Sequence, residues 1–311
     1  MFRSALPQLI SPVFLTDGGL ETSLIYDDGL ELVDFAAFSL LDSAAGAAAI
    51  SRYYEAYVAI ALRDRVGVVL DTATWRASPD WAERQGYDTE KLIALNTAAV
   101  DLLVDIRARY QTPTSPIVIS GCIGPRGDGY RPDALMSVDE AQSYHGLQAR
   151  TFADSAADLI TALTMTYPAE AIGVAHAARA VEMPVVISFT VETDGTLPTG
   201  ASLAEAIEAV DAVTDAYPAY YMVNCAHPSH FADVLQPGAA WSKRIGGIRA
   251  NASTMSHAEL DQATELDAGD PIALAASYRE LRERLPRLVV LGGCCGTNHR
   301  HIDAISTTCA A

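Results

Sequence analysis

Long hydrophobic runs are absent: no apolar stretch of these 311 residues approaches the roughly 20 that span a bilayer. The opening segment, MFRSALPQLISPVF, holds one Arg and two prolines where a secretory signal needs an apolar core. A soluble cytoplasmic protein without a membrane partner is expected. Basic residues are scarce, 21 against 39 acidic for a net charge of −18, which argues against a nucleic-acid footprint. Lysine is scarcer still. Lys91 falls in a helical pattern and Lys243 ahead of a strand, so no lysine stands at a strand's carboxyl end and Schiff-base aldolase chemistry is excluded. Five cysteines, an odd number and mostly far apart, do not make a disulfide framework. No Gly-x-Gly-x-x-Gly follows the first apolar run, which argues against a doubly wound dinucleotide fold. No linker-like or low-complexity stretch divides the chain, so residues 1–311 are read as a single domain.

What is present is a regular alternation. Short, β-branched apolar runs recur at 13–16, 66–70, 116–120, 158–164, 184–190, 220–224, 244–249 and 287–293. They lack clean alternation, as strands buried on both faces do. Helical patterns fill the intervals at 47–65, 89–110, 138–157, 168–182, 202–217 and 270–285. A weaker helix is expected after HPSH and a last one beyond Asn298. Eight strands alternating with helices predict a single (β/α)8 TIM-type barrel. The strand-to-helix segments are long (17–46, 71–88, 121–137, 190–201 and 249–269), and barrel active sites are built on those loops.

Five cysteines then divide by position. Cys294 and Cys295 are adjacent in LGGCCGTNHR, after the eighth strand. Neighbouring Cα atoms are about 3.8 Å apart, below the disulfide range of about 4.4–6.8 Å, so a bridge between them is disfavoured. Cys225, in VNCAHP, ends the sixth strand. On a barrel both positions open onto one rim, and three thiolates there describe a zinc site with an open fourth position. Gly292, Gly293 and Gly296 remove bulk and allow unusual dihedrals around the pair. His227, His299 and His301 compete for the fourth place, although His227 also suits a helix start. Cys122 and Cys309 stand alone and read as small buried hydrophobes.

These residues resemble the homocysteine S-methyltransferase family. TDGGLET near the start, NC after strand six and the terminal GGCCGT carry the resemblance over nearly the whole chain, with DTATW, GCIGPRGD and RANAS in support. The resemblance implies a zinc-dependent S-methyltransferase that moves a methyl group onto a thiol. Its acceptor would be homocysteine or a related thiol, giving methionine or a thioether. By the resemblance, Cys225, Cys294 and Cys295 hold the zinc and act through it. Asp17, Gly18 and Gly19 place the acceptor's amino-acid end, and Thr74, Trp75 and Asn251 match pocket positions. No appended cobalamin- or folate-binding domain is expected. A free sulfonium donor, S-methylmethionine or S-adenosylmethionine, is therefore expected.

Two positions depart from the family. Met165 stands in MTYP where many members carry the glutamate that meets the acceptor's amine, and Arg249 stands where a tyrosine is common. Methionine cannot pair with an ammonium group, which leaves Asp17, Glu21 or Glu192 for that contact, or a different thiol as acceptor. Arg249 could instead grip a carboxylate. Met165 also keeps open a non-catalytic zinc- or thiol-sensing protein on the same scaffold. A zinc hydrolase ranks lower, because three thiolates donate charge to the ion and weaken bound water as an acid.

Overall fold

The computed structural model describes residues 1–132 and 134–310. Eight parallel strands close into one barrel in sequence order. They are β1 Phe14–Leu15, β2 Gly67–Asp71, β3 Ile117–Ile123, β4 Leu159–Met165, β5 Val185–Phe189, β6 Tyr220–Asn224, β7 Ile245–Ala250 and β8 Val290–Gly293. β8 pairs back onto β1 through Phe14 with Val290 and Leu15 with Leu291. This is the expected (β/α)8 architecture.

Every strand residue is buried, because side chains alternate between two covered faces. Phe14, Val69, Val118, Leu159, Val186, Met222 and Val290 fill the barrel interior together with Cys122. Their neighbours Leu15, Val68, Leu70, Ile119, Ile160 and Ile187 pack outward against the helices, in the cluster that also holds Cys309. Each such side chain contributes about 1.5–3 kcal/mol by leaving water. β1 is shorter than its apolar run. The Thr16 N–H still donates to the Leu291 carbonyl at 2.9 Å, and the chain then turns away through Gly18. β3 runs three residues beyond its apolar run, since Gly121, Cys122 and Ile123 stay paired with β4.

The outer helices start where capping residues place them. Ser137 with Glu140, and Ser202 with Glu205, form capping boxes, and Pro168 and Pro271 open two others. A cap of this kind contributes about 1 kcal/mol. The segment after β6 gives only the short helix Pro228–Phe231, which opens inside HPSH rather than after it. His299–Cys309 closes the chain. Short helices Pro79–Arg84 and His257–Gln262 lie within the long rim loops. No helix among the described residues is long and apolar enough to cross a membrane.

Candidate metal centre and substrate pocket

Cys225 leaves the end of β6 with φ at 55°, in the left-handed region that a non-glycine residue enters only when held there. Side chains hold it from behind, with Thr190 Oγ1 at 3.5 Å from its carbonyl and two closer donors. Asn251 Nδ2 donates to the Cys225 carbonyl at 3.0 Å, and His257 Nε2 donates to the same oxygen at 2.8 Å. The carbonyl is thereby pinned and the thiol turns toward β8. There Cys294 is anchored by its N–H on the Ala250 carbonyl at 2.8 Å.

The glycines around the pair act differently from one another. Gly292 and Gly293 lie in β8, where a Cβ would overlap Thr16 Oγ1 and Thr297 Oγ1 respectively, so they supply space and not unusual dihedrals. Gly296, with φ at 78°, supplies the turn.

The three sulfurs converge. Their ligand atoms lie within 4.8 Å of one another, with Cys225 Sγ 3.8 Å from Cys295 Sγ and 2.6 Å from Cys294 Sγ. Thiolates on one tetrahedral ion, each about 2.3 Å from it, stand about 3.8 Å apart. The first spacing matches that geometry, and the second is shorter than it. A soft, all-sulfur donor set of this kind fits zinc and not magnesium or calcium. Among the described residues the cluster contains no histidine. His227 caps the helix Pro228–Phe231, and His301 Nε2 is 2.7 Å from the Ala268 carbonyl. Hydrogen bonds from the other two thiols push the Cys294 thiol well below its usual range.

Beside the sulfurs lies a cavity of about 450 Å³. Asp17, Gly18, Gly19, Glu21 and Trp75 line it, as do the three cysteines. Gly19 must lack a side chain, because a Cβ would overlap Thr22 Oγ1 and crowd the Cys294 carbonyl at 2.5 Å. Three residues expected at the pocket wall stand elsewhere. Thr74 is fully buried and donates to the Cys122 carbonyl at 2.7 Å. Asn251 braces Cys225 from behind. Met165 packs in the core between barrel and helices, because β4 slips register at Thr164, whose φ is 62°; Thr164 faces the pocket instead. Met165 therefore does not occupy an amine-binding position.

Arg249 is likewise engaged within the protein. Its guanidinium contacts Asp17 Oδ1 at 2.9 Å, Asp71 Oδ2, the Gly18 carbonyl at 3.2 Å and the Gly293 carbonyl at 3.1 Å. With its charge already met by two of the protein's own carboxylates, it is a buried brace and not a free grip for substrate. Asp17 also accepts from Tyr53 Oη at 3.0 Å. Burial outweighs Arg249 and raises the Asp17 carboxyl to about 6. Glu21, without such a brace, is raised by burial to about 7. Asp71 Oδ1 and Trp75 Nε1 are buried without hydrogen-bond partners, an acceptor and a donor in one cavity wall.

Tyr130 and His257 had no reading in the sequence. The Tyr130 hydroxyl lies 3.7 Å from Cys295 Sγ and 4.0 Å from Cys225 Sγ, and its ring stacks on His257 at 4.0 Å. Burial pushes the Tyr130 phenol up, so it stays protonated and faces the sulfurs as a donor. Glu192 stands 3.2 Å from His257 Nδ1, outside the cavity wall. The signal available was an aromatic residue between glycine and arginine in the long loop after β3.

The family model described as Homocysteine S-methyltransferase matches residues 14–309. The homocysteine methyltransferase MmuM from Escherichia coli has a similar structure in three crystal structures, of its metallated, oxidized and apo forms. Its metallated form is 20% identical with a TM-score of 0.78, covering 98% of this chain and 99% of that one. The oxidized form is 21% identical with a TM-score of 0.79, covering 98% of both chains. The apo form is 20% identical with a TM-score of 0.71, covering 99% of both chains. At that identity the likeness establishes the fold. No curated protein matches the sequence.

Proposed function

Because this chain belongs to the homocysteine S-methyltransferase family, we propose that it methylates the thiol of homocysteine, or of a closely related amino-acid thiol, at a zinc ion held by Cys225, Cys294 and Cys295. The observation that carries the reading is the convergence of three sulfurs from β6 and β8 beside one rim cavity. The metallated form of a protein with the same fold supports it. Bound there, zinc would supply the positive charge that lowers the acceptor thiol's pKa from near 8.5.

The chain's own residues do the rest. Asn251 and His257 hold Cys225 in place, and Gly19 lets the first loop close over Cys294. Asp71 Oδ1 and Trp75 Nε1 offer an acceptor and a donor to the ammonium and carboxylate of an amino acid. Seven acidic residues line the cavity against two arginines, and Trp75, Tyr26, Phe35 and Tyr130 add aromatic faces. Carboxylates and π-faces favour a cationic donor, so the methyl source is a sulfonium, S-methylmethionine or S-adenosylmethionine. In the transfer the acceptor sulfur forms the new S–CH3 bond while the donor's S–CH3 bond breaks. The donor sulfur leaves as a neutral thioether, and the acceptor's proton passes to solvent. Alignment of the two sulfurs is the main demand on the protein. The non-catalytic reading loses its motive, since Met165 is not in the pocket.

The test is zinc per chain in protein purified under reducing conditions, alongside Cys294→Ala, followed by assay with homocysteine and each sulfonium. About one zinc, lost in the variant, with methionine formed, supports the proposal. A zinc-free wild type after supplementation, or zinc without transfer to any thiol, overturns it.

A further inference from the structure

At the opposite end of the barrel a second cavity, of about 1010 Å³, opens where Pro12, Tyr220, Gly246 and Val289 mark the amino ends of β1, β6, β7 and β8. Its lining reverses the protein's charge balance. Lys243, Arg244, Arg279, Arg282 and Arg287 surround it with Glu283 as the one acidic residue, in a chain of net charge −18. Arg244 is neutralised by Asp211 at 2.8 Å. The other four have no carboxylate partner among the described residues. Arg282 holds the Pro12 and Cys309 carbonyls, which leave its charge intact. Lys243, Arg279 and Arg287 are exposed and their side chains make no hydrogen bonds among the described residues.

Two further features point to a ligand. Gln8 is 0% exposed and lines this cavity, yet neither amide atom makes a hydrogen bond of normal geometry, although the amide lies against the Tyr220 phenol. Proteins seldom bury an amide unpartnered. Leu9 and Ile10, 53% and 91% exposed, stand on the same rim. Clustered like charges repel one another, and guanidinium forks match phosphate oxygens. We propose that this cavity binds an organic polyphosphate, of which a nucleoside diphosphate is the simplest that fits. The phosphates would meet Lys243, Arg279, Arg282 and Arg287. A planar, hydrogen-bonding group would meet Gln8, Leu9 and Ile10. The site is independent of the methyl-transfer centre on the other rim.

The experiment is calorimetric titration of the full zinc-loaded chain with ADP and with inorganic pyrophosphate at low ionic strength. One ADP per chain is expected, bound more tightly than pyrophosphate and weakening steeply with salt. The double variant Arg279→Glu, Arg287→Glu should weaken both ligands by more than about tenfold, with zinc content and circular dichroism unchanged. Gln8→Ala should weaken ADP and spare pyrophosphate. Absence of binding by either probe overturns the proposal, as does binding that ignores the double variant. Equal affinities for the two probes would remove its organic part. If neither probe binds and the double variant instead dissolves a concentration-dependent dimer, the cations serve an acidic face of a second copy and the proposal is wrong.

Discussion

The two ends of this barrel share one scaffold and carry opposite chemistry. The carboxyl rim is lined by seven acidic residues and two arginines around three thiols, the amino rim by five basic residues and one glutamate. Their charges are also managed differently. On the acidic rim Arg249 is buried and contacts Asp17 and Asp71, whereas on the basic rim four cations have no carboxylate partner among the described residues. Where Arg249 fixes Asp17 and Asp71, the acidic rim is preorganised for a small, oriented ligand. A rim that leaves charge exposed suits a ligand that brings the counter-charge with it.

The sharpest way to break this contrast is through the cysteines, because one of them lines the other cavity. Cys225→Ala, Cys294→Ala and Cys295→Ala should each lose most zinc and lower methyl transfer by more than about 100-fold, as removal of a direct metal ligand implies. Cys309→Ala, at the amino rim, should change neither; metal analysis and turnover report both. Equal loss in Cys309→Ala would erase the distinction between the two ends.

Removing the internal counter-ion is expected to be nearly as severe for the fold. Arg249→Met strands Asp17 and Asp71 in a buried site and should cost about 3–5 kcal/mol in urea denaturation. A smaller cost would mean that the two carboxylates reach water. Met165→Glu sharpens the placement of β4. The new carboxylate would enter the helix-side core and should destabilise the protein by about 3 kcal/mol without improving homocysteine affinity. Improved affinity would return that side chain to the pocket.

Glu21 gives the smallest and most diagnostic effect. Its carboxyl is raised from 4.5 to about 7, so folding favours the protonated form, and that stabilisation is full below 4.5 and lost as pH rises to about 7. Glu21→Gln should therefore gain melting temperature over wild type progressively between about pH 4.5 and pH 7 and hold that advantage at higher pH. Affinity for the sulfonium donor should rise several-fold in wild type as pH passes about 7 and stay flat in the variant. A pH step that survives in Glu21→Gln would assign the titration to another group.

Much of this was legible in the chain. Period-free apolar runs placed all eight strands, and Ser, Asp and Pro at helix starts placed the outer helices, because burial on both faces and capping are local demands. The thiol trio could be read from position alone, since strand six and strand eight must open on one rim. Gly18, Gly19 and Trp75, expected from the family resemblance, line the pocket wall, as does Glu21. Met165, Thr74 and Asn251 stand elsewhere. A one-residue slip at Thr164 reversed which side of β4 a side chain faces, and period-two structure turns such a slip into a complete exchange of core for cavity.

The sequence by itself determined the barrel, the cysteines that converge on one rim and the family, because each rests on local patterning and on an order of elements that only one closure satisfies. Tertiary structure alone decided which charges meet. Arg249 joins Asp17 and Asp71 across 232 and 178 positions of chain, Tyr130 comes to the sulfurs from another loop, and the scattered basic residues of the amino rim gather around one cavity. Coulomb interactions and hydrogen bonds depend on distance in space, and separation along the chain carries no record of it until the barrel closes.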